Sequence, residues 1–182
     1  MKKKLLPFVV IIMLLTTPVL SAEGDTLKPA ALFVHPDAAG KLPLIGTVAI
    51  TISGVDRTSA RLIEDAIAIA LLADSITVLY PGQKDLNRER PVPPDPVAWA
   101  KKLGANTLIT GTLVARCGHC ARGKSGCRDE RVRAVSFYLV DVPQDKILLW
   151  ALYEPSENTP PSGVVNNFVR IMKESLTEKE EK

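Results

Sequence analysis

Between Arg116 and Arg131 the chain reads Arg-Cys-Gly-His-Cys-Ala-Arg-Gly-Lys-Ser-Gly-Cys-Arg-Asp-Glu-Arg, which holds all three cysteines and one of the two histidines. Several chemistries use such residues. Cys117-Gly118-His119-Cys120 is a dithiol tetrapeptide, and redox work with it needs the first thiolate held at a helix N-terminus. Here the tetrapeptide closes an expected strand and runs into Gly- and Ser-containing sequence, although Arg116, Arg122, Lys124 and Arg128 would lower a nearby thiol pKa. Zinc has four possible ligands in Cys117, His119, Cys120 and Cys127. His119 stands directly beside Cys120, however, and the second pair is incomplete, so no metal is expected. Gly118 to Ser125 fits the phosphate-cradling pattern G-x-x-x-x-G-K-S, yet only Gly126 to Arg131 remain for the helix that must follow it. Nucleotide is therefore not expected. Ala121 occupies the position where haem attachment requires histidine. The expectation that remains is structural: one disulfide closes within the loop in an oxidising compartment. Cys120–Cys127 and Cys117–Cys127 are the stapling pairs, with the third thiol left over. Thiol redox or zinc chemistry at Cys117 to Cys127 stays as the alternative.

Outside that loop the catalytic search finds little. His35 lies beside Pro36 in a stretch expected to be solvated. Glu64 and Asp65 are adjacent on an expected helix and point differently, which suits a solvated face better than a carboxylate dyad. No G-x-S-x-G motif is present, because Gly126 is followed directly by Cys127. Trp99 and Trp150 fall in apolar patterns and are expected in packing. No catalytic residue and no cofactor are expected, and the chain reads as a non-enzyme. The basic residues Arg116, Arg122, Lys124 and Arg128, with Arg88 and Arg90 in the proline-rich stretch Pro81 to Pro94, are the candidate partner contacts.

The compartment follows from the N-terminus. Met1-Lys2-Lys3-Lys4 is a basic n-region, Leu5 to Leu15 an apolar h-region, and Pro18 to Ala22 a breaker followed by small residues. This is the layout of a secretory signal peptide cut after Ala22, too short to span a bilayer. A soluble periplasmic protein without stable membrane insertion is the expectation. Three of the 23 Lys+Arg residues lie in that segment, leaving 20 to balance 20 Asp+Glu. A neutral chain has no general field for a polyanion, so nucleic acid is not an expected partner.

The elements that must position these groups follow from periodicity. Residues 23 to 43 show no period and read as a flexible arm, ahead of a single α/β domain over 44–177 and a charged tail over 178–182. Leu44 to Ser53 is a strand. Ala60 to Ala73 is a helix capped by Thr58 or Ser59, with Leu62, Ile63, Ala66, Ile67, Ala70 and Leu71 as its apolar face. Ile76 to Tyr80 is a short buried strand. Asp95-Pro96 starts a second helix that ends at Leu103-Gly104. Thr107 to Ala115, Val132 to Val142 and Ile147 to Tyr153 are strands, the last two a hairpin. A final helix starts near Pro160-Pro161 with Val164, Val165, Phe168, Ile171, Met172 and Leu176 as its stripe. The order β-α-β-α-β-β-β-α predicts one mixed β-sheet with packed helices.

The segments Ser75-Ile76-Thr77-Val78-Leu79, Ala100 to Leu113 (Ala-Lys-Lys-Leu-Gly-Ala-Asn-Thr-Leu-Ile-Thr-Gly-Thr-Leu), Ser136 to Val142 and Lys146 to Trp150 carry a family likeness. They resemble the envelope lipoprotein families of the curli-secretion channel protein and the penicillin-binding-protein activators. The domain of those families is similar to the amino-terminal domain of the TolB protein. The resemblance covers roughly Leu44 to Leu176. It implies backbone roles for Gly104 and Gly111, a turn role for Asp141, and action by binding and assembly. Two departures stand out: the lipid-bearing cysteine is absent, and the cysteine cluster is additional. The expected function is an exported periplasmic binding or adaptor protein that engages a cell-envelope assembly. A secretion-channel-related subunit is the second alternative.

Overall fold

The computed structural model describes residues 27–42, 45–54, 57–79, 92–117, 130–156 and 159–177. One six-stranded sheet runs through them, in the order β1-β6-β5-β4-β2-β3. Its strands are β1 (Ala31–Val34), β2 (Thr47–Gly54), β3 (Thr77–Leu79), β4 (Thr107–Cys117), β5 (Glu130–Asp141) and β6 (Lys146–Tyr153). The helices are α1 (Arg57–Ala73), α2 (Pro96–Leu103) and α3 (Pro161–Leu176). The predicted mixed sheet and element order are both found, with one further strand, β1, ahead of them.

β2 pairs in parallel with β3 on one side and β4 on the other, so the crossover from β2 to β3 and the crossover from β3 back past β2 to β4 run in opposite directions across the sheet. Right-handed crossovers then require helices on opposite faces. Accordingly α1 packs with α3 on one face, and α2 covers part of the other. β4, β5 and β6 form an antiparallel meander, to which β1 adds an edge.

The main core lies between the sheet and the pair α1/α3. Val48, Ile50 and Ile52, then Ile109 and Leu113, then Phe137 and Leu139 point into it at every second position. Phe137 meets Phe168 of α3 at 4.5 Å between ring centroids and Tyr153 at 5.9 Å. All six residues of the expected α3 stripe are buried. The smaller core under α2 holds Ala49, Ala100, Leu108, Val140 and Val142.

α2 matches its expected punctuation. Asp95 accepts a hydrogen bond from the Ala98 N–H at 2.9 Å, and Gly104 closes the helix in the left-handed region at φ 77°. Gly111 serves differently. A Cβ there would lie 2.1 Å from the Ser136 carbonyl oxygen, so β4 and β5 can approach only over a bare backbone.

Four expectations change. The stretch read as a flexible arm contributes β1, a 3-10 turn at Pro36–Ala38 and the buried Ala38. Its apolar run Ala31-Leu32-Phe33-Val34 is too short to show a period, and only β6 supplies its partner. α1 begins at Arg57, which places Thr58 and Ser59 inside its first turn. Leu62, assigned to the apolar face of α1, is 58% exposed. Nine residues separate it from the buried Leu71, which at about 100° per residue puts the two on opposite sides of the helix. β3, expected to be buried, is an edge strand whose Thr77 is exposed.

Candidate functional site

β4 and β5 outrun their neighbours. β2 follows β4 only as far as Leu113, and β6 follows β5 only back to Val135. The two strands continue as a ribbon to the pairs Arg116–Arg131 and Cys117–Glu130, with a register shift between Val114 and Ala115. Arg116 and Cys117 are thus placed by backbone position at the open end of this ribbon. Cys120, Cys127, Arg122, Lys124 and Arg128, with Arg88 and Arg90, lie outside the described residues, as does any disulfide among the cysteines. Among the described residues no three His, Cys, Asp or Glu side chains gather as metal ligands.

Several described buried polar groups serve the fold, while the buried Trp150 Nε1–H has no hydrogen-bond partner among the described residues. Glu64, read as solvated, is buried at 8% exposure and accepts the Ile52 N–H at 2.7 Å. Arg57 donates to the Ile52 carbonyl at 3.2 Å. Both backbone groups of Ile52 face the side where β3 has already ended, since β3 pairs only with residues 47 to 49. Two side chains of α1 thereby replace the missing strand. Tyr153 donates to Asn167 Oδ1 at 2.9 Å inside the core, and burial pushes its phenol up to about 12.

A second polar cluster closes the opposite end of the sheet. Lys41 Nζ lies 2.7 Å from Asp141 Oδ2, with both side chains less than a fifth exposed, and 3.4 Å from Gln144 Oε1. Asp141 Oδ1 accepts the Gln144 N–H at 3.2 Å. Lys146 pairs with Asp37 and, by hydrogen bond and charge, holds that exposed carboxyl below the ordinary carboxylate range. His35 accepts the Asp37 N–H through Nδ1 at 3.0 Å and so caps the 3-10 turn. A cleft of about 250 Å³ opens beside Lys41, Asn106, Thr107, Asp141 and Gln144. Its one cation and one carboxylate already satisfy each other.

Several large apolar side chains are nonetheless exposed among the described residues. On the solvent side of α1, Leu62, Ile69 and Leu72 are 58%, 68% and 54% exposed and form a ridge along the helix. A separate groove of about 360 Å³ lies between α1 and α3, lined by Ala70 and Val169 among others. Its rim carries Lys173–Asp74 at 2.9 Å and Arg170–Glu174 at 2.7 Å. On the sheet face not covered by α1 and α3, Phe33, Trp150 and Tyr138 stand in register across β1, β6 and β5. The Tyr138 and Trp150 rings stack at 6.1 Å, as packing expectations for Trp150 required. Periodicity alone places Leu62 in the core and passes over β1; the wheel position of Leu62 opposite Leu71 is the signal in the sequence for the ridge.

No protein-family model matches the chain, and no curated protein is similar to it in sequence. Solved structures similar to it are of low identity and low structural overlap. A PelC dodecamer from Paraburkholderia phytofirmans is 15% identical, with a TM-score of 0.47, over 82% of this chain and 97% of that one. A second crystal form of that protein gives 14% and 0.45 over the same shares. Lipoprotein GNA1162 from Neisseria meningitidis is 15% identical, with a TM-score of 0.41, over 72% of this chain and 97% of that one. At these values the likenesses bear on neither activity nor assembly. No helix among the described residues is long and apolar enough to cross a membrane.

Proposed function

We propose that this chain is an exported, non-catalytic binding protein of the periplasm that engages another protein of the cell envelope. The observation that carries the reading is the α1 ridge. Three large aliphatic side chains stand out on a helix whose opposite side is fully packed. Exposed single hydrophobics are ordinary, but an aligned set on one side of a helix suits a docking module. The ion pairs on the groove rim balance each other, so the complementary partner is apolar at its centre and carries both charge signs at its edge. Glu64, Asp141, Tyr153 and Asn167 are engaged in holding backbone and core, which favours binding as the use of this surface. Arg116, Arg122, Lys124 and Arg128, with Arg88 and Arg90, add cationic contacts in this reading, and a disulfide among Cys117, Cys120 and Cys127 braces the ribbon end. Export through cleavage after Ala22 belongs to the same proposal.

The test is cross-linking in living cells from a photoreactive residue at position 69, compared with an Ile69→Lys variant in pull-down. A defined envelope protein is captured by the former and lost by the latter, while thermal stability stays unchanged. Capture that Ile69→Lys leaves intact, or that deletion of Pro81–Pro94 and Cys117–Arg131 alone abolishes, would move the contact away from α1.

A further inference from the structure

We propose that β1 is a pairing edge for a second copy of this chain, joined antiparallel about a two-fold axis normal to the sheet. β1 ends the sheet, and its outer backbone groups have no partner strand among the described residues. Natural edges are protected by shortness, charge, proline, bulges or a covering element, and β1, at four residues, has shortness alone within the strand. Within Ala31-Leu32-Phe33-Val34 there is neither a charge nor a proline, and Leu32, Phe33 and Val34 are 47%, 45% and 37% exposed. The other edge, β3, is three residues long, with Val78 and Leu79 partly buried.

Both faces of β1 continue rows that already run through the sheet. Leu32 follows Ala151 and Phe137 on the core face, while Phe33 follows Trp150 and Tyr138 on the opposite face. A two-fold axis normal to the sheet keeps the faces distinct. Leu32 and Val34 then meet the same aliphatic face of the second copy, and Phe33 meets its aromatic row. Apolar contacts apolar on both sides, and the backbone ladder extends through an edge that is otherwise open.

Charge selects this occupant and its direction. Lys28 precedes β1 and Asp37 follows it; both are exposed, and Asp37, although paired with Lys146, keeps 62% of its side chain in solvent for a second cation. In an antiparallel pair each Lys28 comes to the Asp37 end of the other copy, twice over by symmetry. A parallel pair would set like charge against like. A four-residue strand pair falls short of the roughly 1,200–2,000 Å² of a standard stable interface, so the dimer is concentration-dependent. This inference uses a surface separate from the α1 ridge and does not rest on the envelope-binding reading.

Sedimentation equilibrium of the purified protein, from micromolar to millimolar concentration, tests it. The wild type shifts from monomer to dimer. Leu32→Lys, Lys28→Glu and Asp37→Lys each keep a folded circular dichroism spectrum and weaken association by about tenfold or more. An equimolar mixture of Lys28→Glu with Asp37→Lys restores the dimer, since both ends then match. A wild type that stays monomeric overturns the proposal, as do variants that associate like the wild type or a mixture without rescue. A monomeric wild type that loses a cross-link to another envelope protein on Leu32→Lys assigns the edge to that protein and equally overturns it.

Discussion

Asp141 and Lys146 face each other at the last register position of the β5–β6 hairpin, and each is taken by an opposite charge from the segment that follows β1. Lys41 reaches Asp141 and Asp37 reaches Lys146, so residues 36 to 42 are strapped across the hairpin end by two ion pairs of reversed polarity. The pairs differ in weight. Lys41–Asp141 is largely withdrawn from water, whereas Asp37 is open to solvent and screened.

Removing Lys41 therefore costs more than removing the outer pair. Lys41→Ala leaves a shielded Asp141 carboxylate with only the Gln144 N–H, and is expected to destabilise by about 1–3 kcal/mol. Asp141→Asn in the Lys41→Ala background should recover part of that loss, because the uncompensated charge is gone. Urea denaturation of the four proteins of the cycle measures it, and strictly additive losses would show that the two residues do not act as a pair.

Gly111→Ala should be among the most damaging single substitutions. Its methyl group would fall on the Ser136 carbonyl, a backbone atom at the centre of the β4–β5 ladder, with Ile52 Cδ1 3.3 Å away. The expected loss is about 3 kcal/mol or more, read as a fall in soluble yield and in denaturation midpoint. A variant that expresses and melts like the wild type would mean that the two strands separate easily.

Stability should decline in alkali through Tyr153. Its phenol ionises near 10 when free and near 12 in the fold. Below pH 10 both states hold the proton and the contribution is complete. Between about 10 and 12 the unfolded phenol loses its proton while the folded one keeps it, so unfolding becomes progressively easier as pH rises. Tyr153→Phe is expected to cost about 1–3 kcal/mol at neutral pH, by stranding Asn167 Oδ1, and to flatten this alkaline limb. Phenolate absorbance against pH for both proteins checks it.

Glu64→Ala exposes the role of the buried carboxylate. It strands the Ile52 N–H where β3 no longer runs, with an expected cost of about 1–3 kcal/mol, whereas Glu64→Gln keeps an acceptor and loses less. Thermal melts of the two variants separate these outcomes. A neutral Glu64→Ala would show that another group takes the N–H.

By itself the sequence determined the element types and the packed face of α3, because those depend on local periodicity and punctuation. Asp95, Pro96 and Gly104 bound α2 through their own side-chain and backbone preferences, with no tertiary partner required. The six-residue stripe of α3 repeats often enough to specify which side is buried. Tertiary structure decided what depends on neighbours distant in the chain. A four-residue run such as β1 has too little pattern to be recognised, and it becomes a strand only because β6 offers an open edge. Glu64 looks solvated beside Asp65 until the early end of β3 leaves Ile52 in need of an acceptor. Leu62 satisfies an apolar count on α1, yet the width of the contact with the sheet and α3 leaves it outside. The surfaces assigned here to binding are therefore those the packing left uncovered, and a local pattern cannot state what the rest of the chain will fail to cover.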